Sequence, residues 1–287
     1  MLTDGGIETR VMFETDVEFP EHVQVAALVG DAAGGPVLRR IYVALGSPTF
    51  RASLNLMRRA GLGGEGAVRR LNRDAAAMHR EIRDNAGHPV HVAGVMGPSG
   101  DAYSPEEALP ARQAREYHAL QAEALAGWGV DFLYAPTFPA VEETLGASLA
   151  MGETGLPHVV SFVLRRDGRV LDGTPLHAAI ERVDAASPAP LLYSISCVYP
   201  SVAAGALREE AASSDLVARR LNEVKANASP LTPEELVRLD HPEGDDPESF
   251  ADGMWGIQEE FGLRVLGGYC GTDGRHMRAL ASRMAAF

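Results

Sequence analysis

Gly267-Gly268-Tyr269-Cys270-Gly271-Thr272 follows the apolar run Leu263-Arg264-Val265-Leu266 near the end of a 287-residue chain. A run of that length, bounded by glycines, reads as a short buried strand leading through a turn into a helix. The same rhythm recurs toward the N-terminus. Candidate strands are Leu2-Thr3-Asp4, His91 to Met96, Asp131 to Ala135, His158 to Leu164, Leu191 to Cys197, Val224 to Ala228 and Leu263 to Leu266. Helix signals lie between them. Ser104-Pro105-Glu106-Glu107 and Thr232-Pro233-Glu234-Glu235 have the form of capping boxes with proline at the first helical position. Arg112 to Trp128 has helical spacing, with Tyr117, Leu120, Ala124 and Trp128 on one face. Strands alternating with helices predict a parallel sheet with helical crossovers.

Seven strands are evident, and an eighth near Ile41 to Leu45 would complete a (β/α)₈ TIM barrel. The residues before Ser47-Pro48-Thr49 are few for a full helix plus strand, so the second βα unit is expected to be shortened or irregular. A doubly wound sheet is the alternative. No linker splits the chain, and residues 1–287 are read as one domain. The Pro/Gly/Asp-rich stretch from His241 to Pro247 is expected as a surface loop before the last helix and strand.

Composition narrows the function. Apolar residues make up 46% of the chain, enough for a sizeable core. A net charge of -13 argues against a nucleic-acid partner, whose phosphates demand basic surfaces. No apolar run approaches the roughly 20 residues of a membrane span, and the first residues lack the pattern of a secretory signal. The expectation is a soluble cytoplasmic protein. Two cysteines can form at most one disulfide, so this is no stapled secreted scaffold.

Barrel active sites form at the C-terminal ends of the strands, which filters the candidates. Asp4-Gly5-Gly6, Gly97-Pro98-Ser99-Gly100, Pro136-Thr137, Ser196-Cys197, Asn227 and Gly267 to Cys270 all lie at such ends. Both cysteines pass. The histidines mostly do not: His91 and His158 open their strands, while His79, His118 and His177 fall on helical patterns. His276, six residues after Cys270, is a weaker third-ligand candidate. Two thiolates with one or two further N or O ligands suit zinc, which can ionise a bound substrate thiol at neutral pH. A 197-then-270 spacing is no regular zinc signature, and two buried cysteines with no metal role fit it equally well.

Taken in order, these strand-end motifs resemble the homocysteine S-methyltransferase family. The resemblance runs through Asp4-Gly5-Gly6, Pro48-Thr49-Phe50-Arg51-Ala52-Ser53 and Gly97-Pro98-Ser99-Gly100. It continues through Thr137 with Pro139 and Glu142-Glu143, Ser196-Cys197 with Pro200, and Gly267 to Thr272. It implies a zinc-dependent (β/α)₈ barrel that moves a methyl group from a sulfonium or ammonium donor to a thiol. Cys197 and Cys270 match two of the family's three zinc ligands, and Tyr269 stands where the remaining cysteine would be. Asp4, Gly5, Thr49, Thr137 and Ser196 are the implied substrate-binding residues. Three further departures stand out. Pro136 replaces a carboxylate that would hold the substrate's amino group, Ser196 an asparagine, and the second unit is compressed.

The leading expectation is therefore an S-methyltransferase acting on a small thiol such as homocysteine, with zinc as cofactor. Its partners would be that thiol and a methyl donor, with no nucleic acid and no membrane; assembly into homo-oligomers stays open. The alternative is a metal-free, catalytically altered barrel that binds a small ligand without methyl transfer. A third reading makes Lys225, the chain's single lysine, a Schiff-base residue; it is weakened by an expected position early on its strand and by the lack of an acid partner.

Overall fold

The computed structural model describes residues 1–3, 46–87, 89–186, 188–231 and 244–285. Among these, six parallel strands form one sheet: β1 (Ala93–Val95), β2 (Phe132–Phe138), β3 (His158–Phe162), β4 (Leu192–Val198), β5 (Leu221–Ala226) and β6 (Val265–Gly268). Their spatial order is their chain order. A doubly wound sheet reverses its order at a switch point; no reversal occurs among the described strands, which sets that alternative aside.

Both sheet edges carry a further parallel bridge. Leu2 pairs with Leu266 beside β6, and Gly46 pairs with Ala93 beside β1. Thr3 N–H and Ser47 N–H extend these contacts to the carbonyls of Leu266 and Ala93. The first expected strand is thus represented by this single bridge, with Asp4 outside the described residues. The eighth, near Ile41 to Leu45, also falls outside them.

Helices α1 (Leu54–Arg59), α2 (Glu65–Asp84), α3 (Ala111–Ala126), α4 (Val141–Gly152), α5 (Leu176–Asp184), α6 (Pro200–Ser213), α7 (Asp215–Arg220), α8 (Pro247–Phe261) and α9 (Gly274–Ala285) alternate with the strands. Their boundaries follow local chemistry. In α8, Asp246 caps the N-terminus by accepting from Glu248 N–H and Ser249 N–H, Pro247 takes the first position, and Gly262 ends the helix at φ 68°. The expected capping box at Ser104 yields only a 3₁₀ turn, Pro105–Glu107, with no side-chain cap. Pro110 lies just beyond and disfavours helical backbone at Leu109, so the helix restarts as α3. Helices α3 and α4 pack at Gly146, where a Cβ would stand 2.3 Å from Ala111 O and 2.4 Å from Ala114 Cβ.

The strands are buried on both faces, as parallel sheets with covering helices require. On the helix side Phe138, Phe162, Tyr193, Leu133 and Ile195 are fully buried, with the Phe162 and Tyr193 rings stacked at 6.1 Å. His158 opens β3 as expected and is buried against the Ser148 hydroxyl at 2.9 Å. Burial pulls its pKa down to about 4. The neutral ring is therefore favoured on folding, and this stabilisation is complete above the unfolded value of about 6.5 and lost as pH falls toward 4. His158→Asn is expected to flatten the fall of the urea midpoint between pH 7 and pH 4, a difference of up to about 3 kcal/mol.

Candidate active site

Strands β2 and β4 end alike. Each carries a register shift near its C-terminus, between Ala135 and Phe138 and between Ser196 and Val198. At these bulges Thr137 and Cys197 take φ values of 58° and 60°, the only non-glycine residues with positive φ among those described. A β-branched residue in that region is an outlier costing of order 1–3 kcal/mol. Bulges re-aim side chains and recur beside active sites.

The Gly267–Thr272 segment closes against the same corner. Tyr269 N–H donates to Ala226 O at 2.7 Å, Ala228 N–H to Cys270 O at 3.0 Å, and Thr272 N–H to Tyr269 O at 3.1 Å. Glycine is required by close approach: a Cβ on Gly267 would lie 1.9 Å from Thr3 Oγ1, and one on Gly268 2.3 Å from Thr272 Oγ1. The turn brings Cys270 Sγ to 3.8 Å from Cys197 Sγ, and neither cysteine is in a disulfide. The two thiols picked out at strand ends stand side by side.

Two phenols flank them. Tyr103, in the loop after β1, places its hydroxyl 2.5 Å from Cys197 Sγ. Tyr269 is engaged by the Thr137 side chain. Burial, then the neighbouring cysteine charges, push both phenols well above their ordinary pKa, so at neutral pH each is an O–H donor. The loop bearing Tyr103 is fastened by Glu143 of α4, which is fully buried. Its carboxylate accepts from Ser99 N–H at 2.6 Å and Leu109 N–H at 3.3 Å, and meets His118 Nε2 at 3.1 Å. Within the loop, Tyr103 N–H donates to Asp101 Oδ1 at 2.7 Å.

Beneath the thiols the inner face of the sheet is polar, where barrels commonly place bulky apolar side chains. Tyr134 hydroxyl lies 3.1 Å from Ser196 Oγ, which is 2.6 Å from Ser161 Oγ. Burial raises the Tyr134 phenol pKa, and Glu223 adds to the rise. Lys225 Nζ lies 5.6 Å and 5.8 Å from the ring centroids of Tyr134 and Tyr269, within cation–π range. Lys225 is the fifth of six residues of β5. This corrects the expectation of an early position: the strand starts three residues sooner than its apolar run, because Glu223 and Lys225 both face inward.

The remaining candidates are placed as follows. Thr49 is buried at the β1 edge, its hydroxyl donating to Val95 O at 2.6 Å and meeting Ser47 Oγ at 2.6 Å. Asp4 and Gly5 lie outside the described residues. Both ring nitrogens of His276 are engaged elsewhere, by Asp273 and by Asp245 O. Among the described residues no three His, Cys, Asp or Glu side chains gather as a metal site, and no helix is long and apolar enough to cross a membrane. Tyr103 escaped the sequence reading because its contact with Cys197 spans 94 positions and no motif marks it.

A protein-family model described as homocysteine S-methyltransferase matches residues 44–284. The S-methylmethionine–homocysteine S-methyltransferase BHMT2 of Pongo abelii is 26% identical over 284 residues, covering 95% of this chain and 72% of that protein. Betaine–homocysteine S-methyltransferase 1 of Bos taurus is 24% identical over 287 residues, covering 95% of this chain and 66% of that one. Among solved structures, the metallated homocysteine methyltransferase MmuM from Escherichia coli superposes with a TM-score of 0.79 at 20% identity, over 99% of this chain and 96% of its own, a likeness of fold.

Proposed function

The chain belongs to the homocysteine S-methyltransferase family, and from that premise we propose that it transfers a methyl group from a sulfonium donor to homocysteine or a close thiol. The observation that carries this reading is the pairing of Cys197 and Cys270 at 3.8 Å where strands β4 and β6 end. We further infer that the six-stranded sheet belongs to a closed (β/α)₈ barrel formed by residues 1–287 as one domain. The bridges at Leu2 and Gly46 on opposite edges support that closure. A cytoplasmic setting accords with the acidic, cysteine-poor composition.

The sulfur pair fits zinc. Two thiolates at about 2.3 Å from one tetrahedral ion lie roughly 3.8 Å apart, the separation found here. Cys197 and Cys270 would hold the ion, which when bound supplies charge that keeps the acceptor thiol ionised at neutral pH. The remaining work belongs to the chain. The bulge at Cys197 aims its sulfur toward Cys270, and the Tyr269 phenol lies beside them. Tyr103 closes the site from the β1 side. Thr137, Ser196, Thr49, Asp4 and Gly5 remain the proposed substrate contacts. With acceptor and donor aligned, the acceptor sulfur attacks the methyl carbon in line. The new S–CH₃ bond forms as the donor's sulfonium C–S bond breaks, and its electron pair leaves with the neutral thioether. Alignment of this kind supplies several kcal/mol of the barrier.

Incubation of the purified protein with homocysteine and either S-methylmethionine or S-adenosylmethionine is expected to yield methionine by mass spectrometry. No methionine with either donor would refute the reading. The metal-free alternative draws on the lack of a His/Cys/Asp/Glu trio among the described residues. About one zinc per chain, retained by protein never exposed to chelator, would count against it.

A further inference from the structure

A zinc site built on Cys197 and Cys270 calls for a third protein donor. Among the described residues no histidine, cysteine or carboxylate joins the pair, so a donor drawn from these residues must be of another chemical type. The two phenols are the groups at hand. We propose that Tyr103, and not Tyr269, is the third protein donor of a zinc site made of two thiolates and one phenolate. The proposal takes from the reading above only the identity of the ion; it does not require methyl transfer.

Three observations separate the two tyrosines. The Tyr103 hydroxyl already touches a sulfur, at 2.5 Å from Cys197 Sγ. The Tyr269 ring carries Lys225 over its face, at 5.8 Å from the centroid; a cation so placed disfavours turning the ring. Finally, the Tyr103 loop is held at both ends by the buried Glu143 carboxylate and at its centre by Asp101. The phenol is thus delivered to the sulfurs from a fixed base.

Oxygen and sulfur donors on one tetrahedral ion stand roughly 3.5 Å apart. The Tyr103 oxygen therefore has to retreat by about 1 Å from Cys197 as the ion enters, while the sulfur pair keeps its spacing. Entry of the ion exchanges protons for metal: the Cys197 and Cys270 thiols and the Tyr103 phenol each give a proton to the buffer, and nothing is oxidised or reduced. A phenolate is a poorer partner for zinc than the thiolate that would complete a three-cysteine site, so the affinity is expected to be lower but measurable.

The test is zinc binding by the full chain, measured by competition with a chelating dye, with protons released per zinc counted calorimetrically in buffers of different ionisation heat. Tyr103→Phe is expected to weaken zinc binding by at least about 10-fold and to release one proton fewer than wild type. Tyr269→Phe is expected to leave both quantities unchanged. Tyr103→Cys is expected to bind more tightly than wild type, which keeps the proposal open to test if the phenylalanine variant does not fold. The proposal is overturned if Tyr269→Phe takes the loss instead, if neither tyrosine variant changes the proton count, or if wild type takes up no zinc. Zinc binding through Tyr103 without methionine formation would sink the methyl-transfer reading alone. Methionine formation with zinc binding indifferent to Tyr103 would sink only this one.

Discussion

Cys197→Ser is expected to lower kcat/KM for methyl transfer to homocysteine by at least about 100-fold while leaving the unfolding midpoint nearly unchanged. The two halves of this result have separate causes. Function is lost because a serine hydroxyl is neither a soft metal donor nor a group that ionises near neutral pH. Stability is kept because serine is nearly the same size in a buried position, can still receive the Tyr103 hydroxyl, and inherits a backbone conformation whose cost belongs to any Cβ-bearing residue. Steady-state kinetics beside thermal unfolding read both. A variant that loses activity and stability together would mean Cys197 is a packing residue.

Glu143→Ala is expected to cost about 3–5 kcal/mol, read as a shift in the urea unfolding midpoint. The carboxylate is fully buried and serves three groups at once: Ser99 N–H, Leu109 N–H and His118 Nε2. Removing it leaves the buried His118 ring and the two part-buried N–H groups without their acceptor, which costs more than the bonds themselves return. Burial alone would raise its pKa, but the His118 hydrogen bond and charge and the Ser99 contacts more than offset this and hold it below the usual carboxylate range. The folded state therefore favours the ionised form. That share of stability is present above the unfolded pKa of about 4.3 and is lost as pH falls through the lower folded value. Glu143→Gln should retain more stability than the alanine variant and show a shallower acid limb.

The parallel sheet was legible because its strands are short apolar runs spaced by helical stretches, and the Cys197–Cys270 pair because strand ends filter so severely. The misread positions share a physical cause: the residues that matter run against the usual pattern. In Leu221-Asn222-Glu223-Val224-Lys225-Ala226 the charged side chains face the interior, so the apolar signal starts later than the strand. The proline at 110, one turn past an apt capping sequence, cuts a helix to a 3₁₀ turn. Tyr103 reaches the site through a loop whose course is set by Glu143, a contact no local pattern encodes.

The bulged ends of β2 and β4 carry a consequence for how this chain can change. Thr137 and Cys197 are held in conformations that glycine would adopt without penalty. Glycine at either position would relieve that strain but would also empty a buried, packed site, so backbone relief and packing loss pull in opposite directions there. The two positions that aim the site are thus held between strain and packing, and any gain in hardiness won there would come at the expense of the chemistry.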